Sequence, residues 1–376
     1  MLFFYFLLKG KKMERLVWLA NPYSPHVRHW LEVIKIGFGS KKQVDIFHIH
    51  HADRSVELSE YEFVNYICPV PNFMKLMPSY FQYIFLGFYL KLKLRKLQIV
   101  HAHNSSGYGL SALLSGKTYI LTTYGSEVYK ATSESCNLIY KNLIKKIIRN
   151  AVAITSSSIQ MTLAIKKLWD HPNVYEFSMG VSESFFFSEE LRLQTRRELG
   201  IPNNAIVILS NRRITPLYNI NIILEAFNEV VRERNNIYLI QIEGDSDKTY
   251  AHEIINDLHI RNFIFLEGFL RQSYLNKLLC ASDYTISLPN TDQLSSSIIE
   301  GLACESIPIL SDIKAYEPLN KVSIKSEIKV DSLVIILNEV LDGVYSEKLT
   351  YIDEVLSKYS IYNASEVYQG ILNDIY

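Results

Sequence analysis

The sequence is short of cysteine, of net charge and of long apolar runs, and each shortage closes off a class of protein. Only four cysteines occur in 376 residues, Cys68, Cys136, Cys280 and Cys304, widely scattered and with no C-x-x-C pair. A disulfide scaffold or a structural zinc site needs clustered thiols, so neither is expected. Cys280 and Cys304 fall in apolar stretches and read as reduced packing residues. Lys plus Arg number 39 and Asp plus Glu number 39, which leaves no global electrostatic case for nucleic acid as a partner. No stretch approaches the ~20 continuous apolar residues needed to cross a bilayer. Low-complexity tracts and short repeats are also missing. Thiol usage and composition point to the cytoplasm.

The opening MLFFYFLLKGKK resembles a leader, but its apolar run is too short to span and no basic region precedes it. Met13 reads as a plausible start, or the leader as a loose extension that touches a membrane.

What the chain does have is rhythm. Short apolar strands alternate with segments of helical length. In the first half the expected strands are Leu16–Ala20, Val44–Ile49, Gln98–His101, Thr118–Thr122 and Ala151–Thr155. In the second they include Ala205–Asn211, Ile237–Glu243, Phe263–Leu266, Tyr284–Leu288 and Ile307–Ser311. Such alternation predicts an α/β protein with parallel sheets covered by helices on both faces. A charged, poorly periodic stretch over residues 182–200 separates the halves. The expected domains are 13–185 and 186–360, with 361–376 a terminal helix. Ligands of open parallel sheets sit at the carboxyl ends of the strands.

The run from Leu288 to Asp312 is the most informative. A polar loop carries Asp292, a helix is expected to begin near Ser295, and Glu300 lies on it, eight residues after Asp292. Free backbone N–H groups at such a helix start suit a phosphate, and a carboxylate a turn or two later suits ribose hydroxyls. Upstream, Arg212 and Arg213 follow the strand Ile206–Ser210, where a guanidinium fork can grip phosphate. A solvated pair at a domain edge is the plainer reading of the two. In the first half, Val100-His-Ala-His103 ends a strand before a Ser-Ser-Gly helix start. The His-x-His pair has no third ligand spaced nearby, so zinc is not expected.

These motifs resemble the retaining glycosyltransferases of the two-Rossmann-domain (GT-B) class, family 4, also called glycosyl transferases group 1. The resemblance covers residues 15–376 and is strongest over Ile264–Asp312. The family pattern there is Glu, seven residues, Glu; here the first acid is Asp292. The resemblance implies two Rossmann-like domains facing across a deep cleft. It gives Glu300 the donor ribose, with Ser295 and Ser296 beside it, and Asp292 the transferred sugar. Asn211–Phe227 is similar to the family's Arg-Leu-x-x-x-Lys-Gly segment, with Arg213 as the diphosphate Arg. Tyr218 stands in place of the Lys and Asn219 in place of the Gly, and Arg212 or Lys248 is a candidate for the missing charge. Gly244 and Gly268 match glycines that let the backbone approach the base, with Arg271 close by. His103 corresponds to a histidine facing the transferred sugar, and His101 to a structural neighbour.

Thr122–Glu127 is similar to the family's Gly-Ser/Thr-Asp element, although a helix start capped by Ser126 explains it equally well. After the first strand, where many relatives have a glycine-rich loop, His26 or Arg28 is left to make contact. The implied activity is transfer of a sugar from a UDP- or GDP-sugar to a glycan or lipid-linked acceptor in polysaccharide or lipopolysaccharide synthesis, with no cofactor or bound metal. Asp245-Ser-Asp247 has metal-site spacing but lies at a turn. Basic, apolar-flanked stretches at Tyr80–Lys96 and Lys141–Arg149 suit peripheral contact with the inner face of an anionic membrane. Two rivals stay open: a non-hydrolysing sugar-nucleotide epimerase, and a catalytically weak relative acting as a binding subunit.

Overall fold

A computed structural model describes residues 15–39, 42–50, 61–176, 178–244, 246, 248–255, 259–268, 270–292 and 294–375. The opening MLFFYFLLKGKK, Asp245 and Asp247 lie outside the described residues, as does the side chain of Lys248.

The chain divides into two units, the second being Gly180–Ser360, while Ile361–Tyr376 returns to the first. In the first unit the strands are β1 (Arg15–Leu19), β2 (Gln43–Phe47), β3 (Val64–Ile67), β4 (Val100–His103), β5 (Tyr119–Thr122), β6 (Ala153–Ser156) and β7 (Val174–Glu176). Its helices are α1 (Pro25–Phe38), α2 (Ser79–Lys93), α3 (Gly107–Ser115), α4 (Ser126–Thr132), α5 (Leu138–Asn150) and α6 (Ile159–Leu168). The second unit runs α7 (Glu189–Glu198), β8 (Ile206–Ser210), α8 (Ile220–Glu233), β9 (Ile237–Ile242), α9 (Lys248–Ile255), β10 (Phe263–Leu266), α10 (Gln272–Ala281) and β11 (Tyr284–Ser287). It continues with α11 (Ser296–Ala303), β12 (Ile307–Ser311), β13 (Ile324–Ser326), α12 (Val330–Leu341) and α13 (Ile352–Lys358); α14 (Ile361–Ile375) closes the chain.

Both sheets are parallel throughout the pairs formed. Their orders are β3-β2-β1-β4-β5-β6-β7 and β10-β9-β8-β11-β12-β13. Each order reverses direction once, between β1 and β4 in the first sheet and between β8 and β11 in the second. Neighbouring loops diverge at such a switch point, and the crevice they leave is where doubly wound sheets bind ligands. The alternation read from the sequence follows from this burial: parallel strands covered on both faces become continuous apolar runs. Leu16, Val17, Trp18 and Leu19 are all buried, yet they feed two cores. Val17 and Leu19 join the side covered by α2, α3 and α5, whereas Leu16 and Trp18 join the side covered by α1 and α14.

Three expectations are corrected. The unit boundary lies at Met179–Gly180 rather than after 185, because Phe185 packs into the second unit's core. Residues 182–200, read as poorly periodic, carry a helix: Ser188 caps α7 through the Leu191 N–H. Arg196, fully buried, donates to three backbone carbonyls and to Asp283 at 2.8 Å, so a charged residue of this stretch is a core tie. The strand expected at Gln98–His101 instead runs Val100–His103, which makes His103 its last residue.

Candidate active site

In the second unit the switch point brings together the segments singled out in the sequence. β8 and β11 are hydrogen-bonded neighbours, so the loops that follow them rise side by side. Arg212 leaves the first and Asp292 the second, and their side chains meet at 2.6 Å. Arg212 is only 8% exposed. Its guanidinium also donates to the Tyr218 hydroxyl at 2.7 Å and lies over that ring, 4.3 Å from the centroid. Its other arm donates to Ser297 Oγ at 2.8 Å and to Ser295 Oγ. Arg213 is different: it is exposed and lies beside Gly244. The two arginines are therefore not a solvated pair. One is built into the site and the other is free to reach a ligand.

Asp292 takes a second hydrogen bond on the same Oδ2, from Tyr316 at 2.8 Å. Tyr316 sits in a short 3-10 segment, Lys314–Leu319, after β12. Its phenol is held protonated by burial first and by the Asp292 charge second, which keeps it a donor. Ser295 stands at the N-cap of α11 but does not cap with its side chain, since that hydroxyl accepts from Arg212. Polar backbone groups at the helix start thus lack a side-chain cap and point where an anion would gain from the dipole. Glu300 lies on the second turn of α11, partly buried, one turn after Ser296. Burial raises its pKa to about 7 against the pull of Ser296 and Arg212.

The opposite rim comes from β9 and β10. Gly244 and Gly268 hold φ near 62° and 75°, a region open to glycine at little cost. They are joined to each other by a 3.1 Å backbone hydrogen bond. The buried Glu243 carboxylate accepts from the Gly268 N–H at 2.6 Å, so the two glycine turns are fixed rather than loose. Arg271 is the exposed residue preceding α10.

In the first unit, His101 and His103 are two apart on β4 and share the face that carries Trp18. The His103 ring lies 4.7 Å from Trp18 and 4.2 Å from His101. Its Nδ1 is 2.9 Å from the Tyr124 hydroxyl, which burial keeps protonated. Burial pushes the His103 pKa well below the usual range, so the ring is neutral. One ring nitrogen is thus paired with Tyr124, and the other, Nε2, is the one left to meet a further group. That Nε2 is buried and has no hydrogen-bond partner among the described residues. Leaving such a polar atom unpaired costs about 1–3 kcal/mol, and the Trp18 ring nitrogen beside it is unpartnered in the same way among the described residues.

His101 has no such vacancy: Nδ1 meets Tyr368 of α14 at 2.9 Å and Nε2 meets Thr122 at 2.7 Å. His26 stacks on Tyr124 at 4.8 Å. Gly107 is fixed by packing, because a Cβ there would fall 2.2 Å from the Tyr83 ring. Ser126 does not cap α4; Gly125 occupies that place with φ of 122°. Among the described residues no three His, Cys, Asp or Glu side chains gather as a metal site.

Sequence reasoning missed Tyr316, Ser297, Tyr124 and Glu243. Ser297 belongs to the Ser-Ser-Ser run already singled out. Tyr316 carries no local signal, because only the β11–β12 adjacency brings its loop to Asp292.

Two family patterns match the chain: Glycosyl transferase 4-like over residues 15–158 and Glycosyl transferases group 1 over residues 192–324. An uncharacterized glycosyltransferase of Methanocaldococcus jannaschii is 23% identical over 186 residues, which is 49% of this chain and 44% of that protein's length. Among solved structures, HepE of Anabaena in complex with UDP and glucose superposes with a TM-score of 0.74 at 13% identity, covering 96% of this chain and all of that one. Sucrose-phosphate synthase of Thermosynechococcus elongatus gives 0.78 at 12% identity, covering 96% and 99%. A glycosyltransferase of Rickettsia africae gives 0.76 at 16%, covering 97% and 99%. With one family pattern in each unit and a Rossmann-like parallel sheet beneath each, this chain is a glycosyltransferase of the GT-B class, of the family 4 type.

Proposed function

We propose that the chain is a retaining glycosyltransferase that moves a sugar from a nucleoside diphosphate sugar, UDP- or GDP-linked, to a glycan or lipid-linked acceptor in cell-surface polysaccharide synthesis. The observation that carries this reading is the convergence of Arg212, Asp292 and Ser295 at the switch point of the second sheet, at the start of the helix that carries Glu300. In this reading Glu300 takes the ribose hydroxyls. Arg213 and the backbone amides at the start of α11 receive the charge that builds on the diphosphate as the anomeric bond breaks. Asp292, held by Arg212 and Tyr316, meets the transferred sugar. By resemblance to the family, His103 on β4 of the first unit is the residue for a sugar hydroxyl, met through its unpartnered Nε2. The reaction runs without a bound metal, the leaving phosphate helping to deprotonate the acceptor. The UDP and glucose found with HepE favour a uridine donor. The acceptor is met at the inner face of an anionic membrane, to which the basic stretches of α2 and α5 are drawn.

One observation favours a second reading. Tyr218 replaces the expected Lys, and Arg212 is committed to Asp292, which leaves Arg213 as the candidate diphosphate cation among the described side chains of this loop. A binding subunit of low activity would look the same. Mass spectrometry of the purified chain incubated with UDP-, GDP-, ADP- and CMP-sugars separates the two. An active enzyme hydrolyses one donor slowly and releases free sugar; a binding subunit shifts in thermal stability without turnover.

A further inference from the structure

The neutral total hides a lopsided distribution of charge. Residues 63–169 hold 13 Lys and Arg against two acids, Glu127 and Glu134. This segment supplies α2, α3 and α5, which cover one face of the first sheet. Gln82, Leu86, Gly87 and Leu90 bury one side of α2. The other side carries Phe81, Phe88 and Leu92, which are 47%, 51% and 88% exposed. Just before it, the 3-10 segment Asn72–Leu76 and its following residue expose Phe73, Leu76 and Met77 by 74%, 95% and 39%. A helix that is apolar all round normally has both sides covered, and a contiguous apolar patch of this kind marks an interaction surface. Its surroundings are cationic: Lys75, Lys91, Lys93, Arg95 and Lys96 are all exposed, and no carboxylate occurs between Phe63 and Ser126. A second copy docking the same face would set like charges against each other. An anionic lipid surface fits both features at once.

We infer that the Phe73–Met77 turn and the outward side of α2 insert into the acyl region of an anionic bilayer. This rests on the membrane contact proposed above and extends it from surface charge to hydrocarbon insertion. The cations of α5 stay at headgroup level, with Lys145 and Arg149 packed over the Trp169 ring at 5.6 and 4.9 Å.

Flotation of the full chain with phosphatidylcholine vesicles, with and without phosphatidylglycerol, tests the partner, and Leu76→Trp tests the depth. The chain is expected to float with the anionic vesicles and to keep part of its binding in high salt. The indole of Leu76→Trp should blue-shift and be quenched by brominated acyl chains. Phe73→Ser with Leu76→Ser should weaken partitioning about tenfold or more while nucleotide binding is unchanged, since both side chains face solvent. Absence of flotation overturns the inference. So does flotation wholly lost in salt with an unquenched indole, which would leave a contact of charge alone. A lipid-free dimer that the double serine variant dissolves also overturns it. Loss of donor binding, by contrast, contradicts the proposed reaction and leaves insertion standing.

Discussion

Arg212 and Asp292, from loops after adjacent strands of the second sheet, close an ion pair of 2.6 Å with side-chain exposures of 8% and 16%. The pair fixes Asp292, the residue that the family resemblance aligns with a Glu, at the head of the α11 loop. Its Oδ2 accepts from Arg212 and Tyr316 together, and Tyr218 packs its ring under the same guanidinium.

The two neighbouring arginines should therefore fail in different ways. Arg212→Ala strands a shielded carboxylate, so denaturant unfolding should show a loss of about 2–4 kcal/mol. Arg213→Ala removes an exposed side chain and should change stability by no more than about 0.5 kcal/mol. Its turnover should drop more than its donor affinity, because the charge it meets develops in the transition state. A fully active Arg213→Ala, beside an Arg212→Ala that is dead at normal stability, would place the diphosphate on Arg212 instead.

Glu300 should leave a pH signature in stability. Burial raises its pKa to about 7, so the folded chain holds this proton more tightly than the unfolded chain does. The stabilisation is complete below the unfolded carboxylate range near 4.5 and is lost as pH rises through about 7. Discounted for partial exposure, the change is about 1–2 kcal/mol. Glu300→Gln should accordingly gain on the parent at pH 8 and not at pH 4.5. Parallel stability–pH curves for the two proteins would contradict the assignment.

The two histidines of β4 should separate function from structure. His103→Ala should slow turnover about tenfold to a thousandfold with little change in nucleotide affinity, if its Nε2 serves the sugar. His101→Ala should act through stability, since it breaks the ties to Tyr368 and Thr122. Burial lowers the His101 pKa to about 3, so its contribution is present above the unfolded value near 6.5 and is lost as pH falls below it. Steady-state kinetics and unfolding curves on both variants decide the matter; equal stability losses with normal turnover would make His103 a packing residue.

How much of this was legible beforehand varies with the kind of signal. Phe263–Leu266 and Ile307–Ser311 are continuous apolar runs bounded by turns, and both strands were read at their observed ends. β3, β7 and β13 were not, being only three or four residues long and partly polar, as in Val174-Tyr-Glu176. The helix carrying Glu300 was legible because Ser295 and the Pro308 turn bracket it. The ion pair was not: Arg212 and Asp292 are 80 positions apart, and only the strand order, which periodicity does not specify, makes them neighbours. The buried role of Arg196 was illegible for a related reason, since nothing in the local sequence announces its four partners.

Calorimetric titration of nucleoside diphosphates into the parent and Glu300→Gln tests the central claim most directly. A carboxylate accepting two ribose hydroxyls is worth about 1.5–3 kcal/mol, or roughly ten- to a hundredfold in affinity. The account predicts that UDP or GDP binds the parent, that Glu300→Gln loses affinity by that factor, and that the parent alone releases protons on binding near pH 7. Equal affinity in the two proteins, or no nucleoside diphosphate bound by the parent, would contradict it.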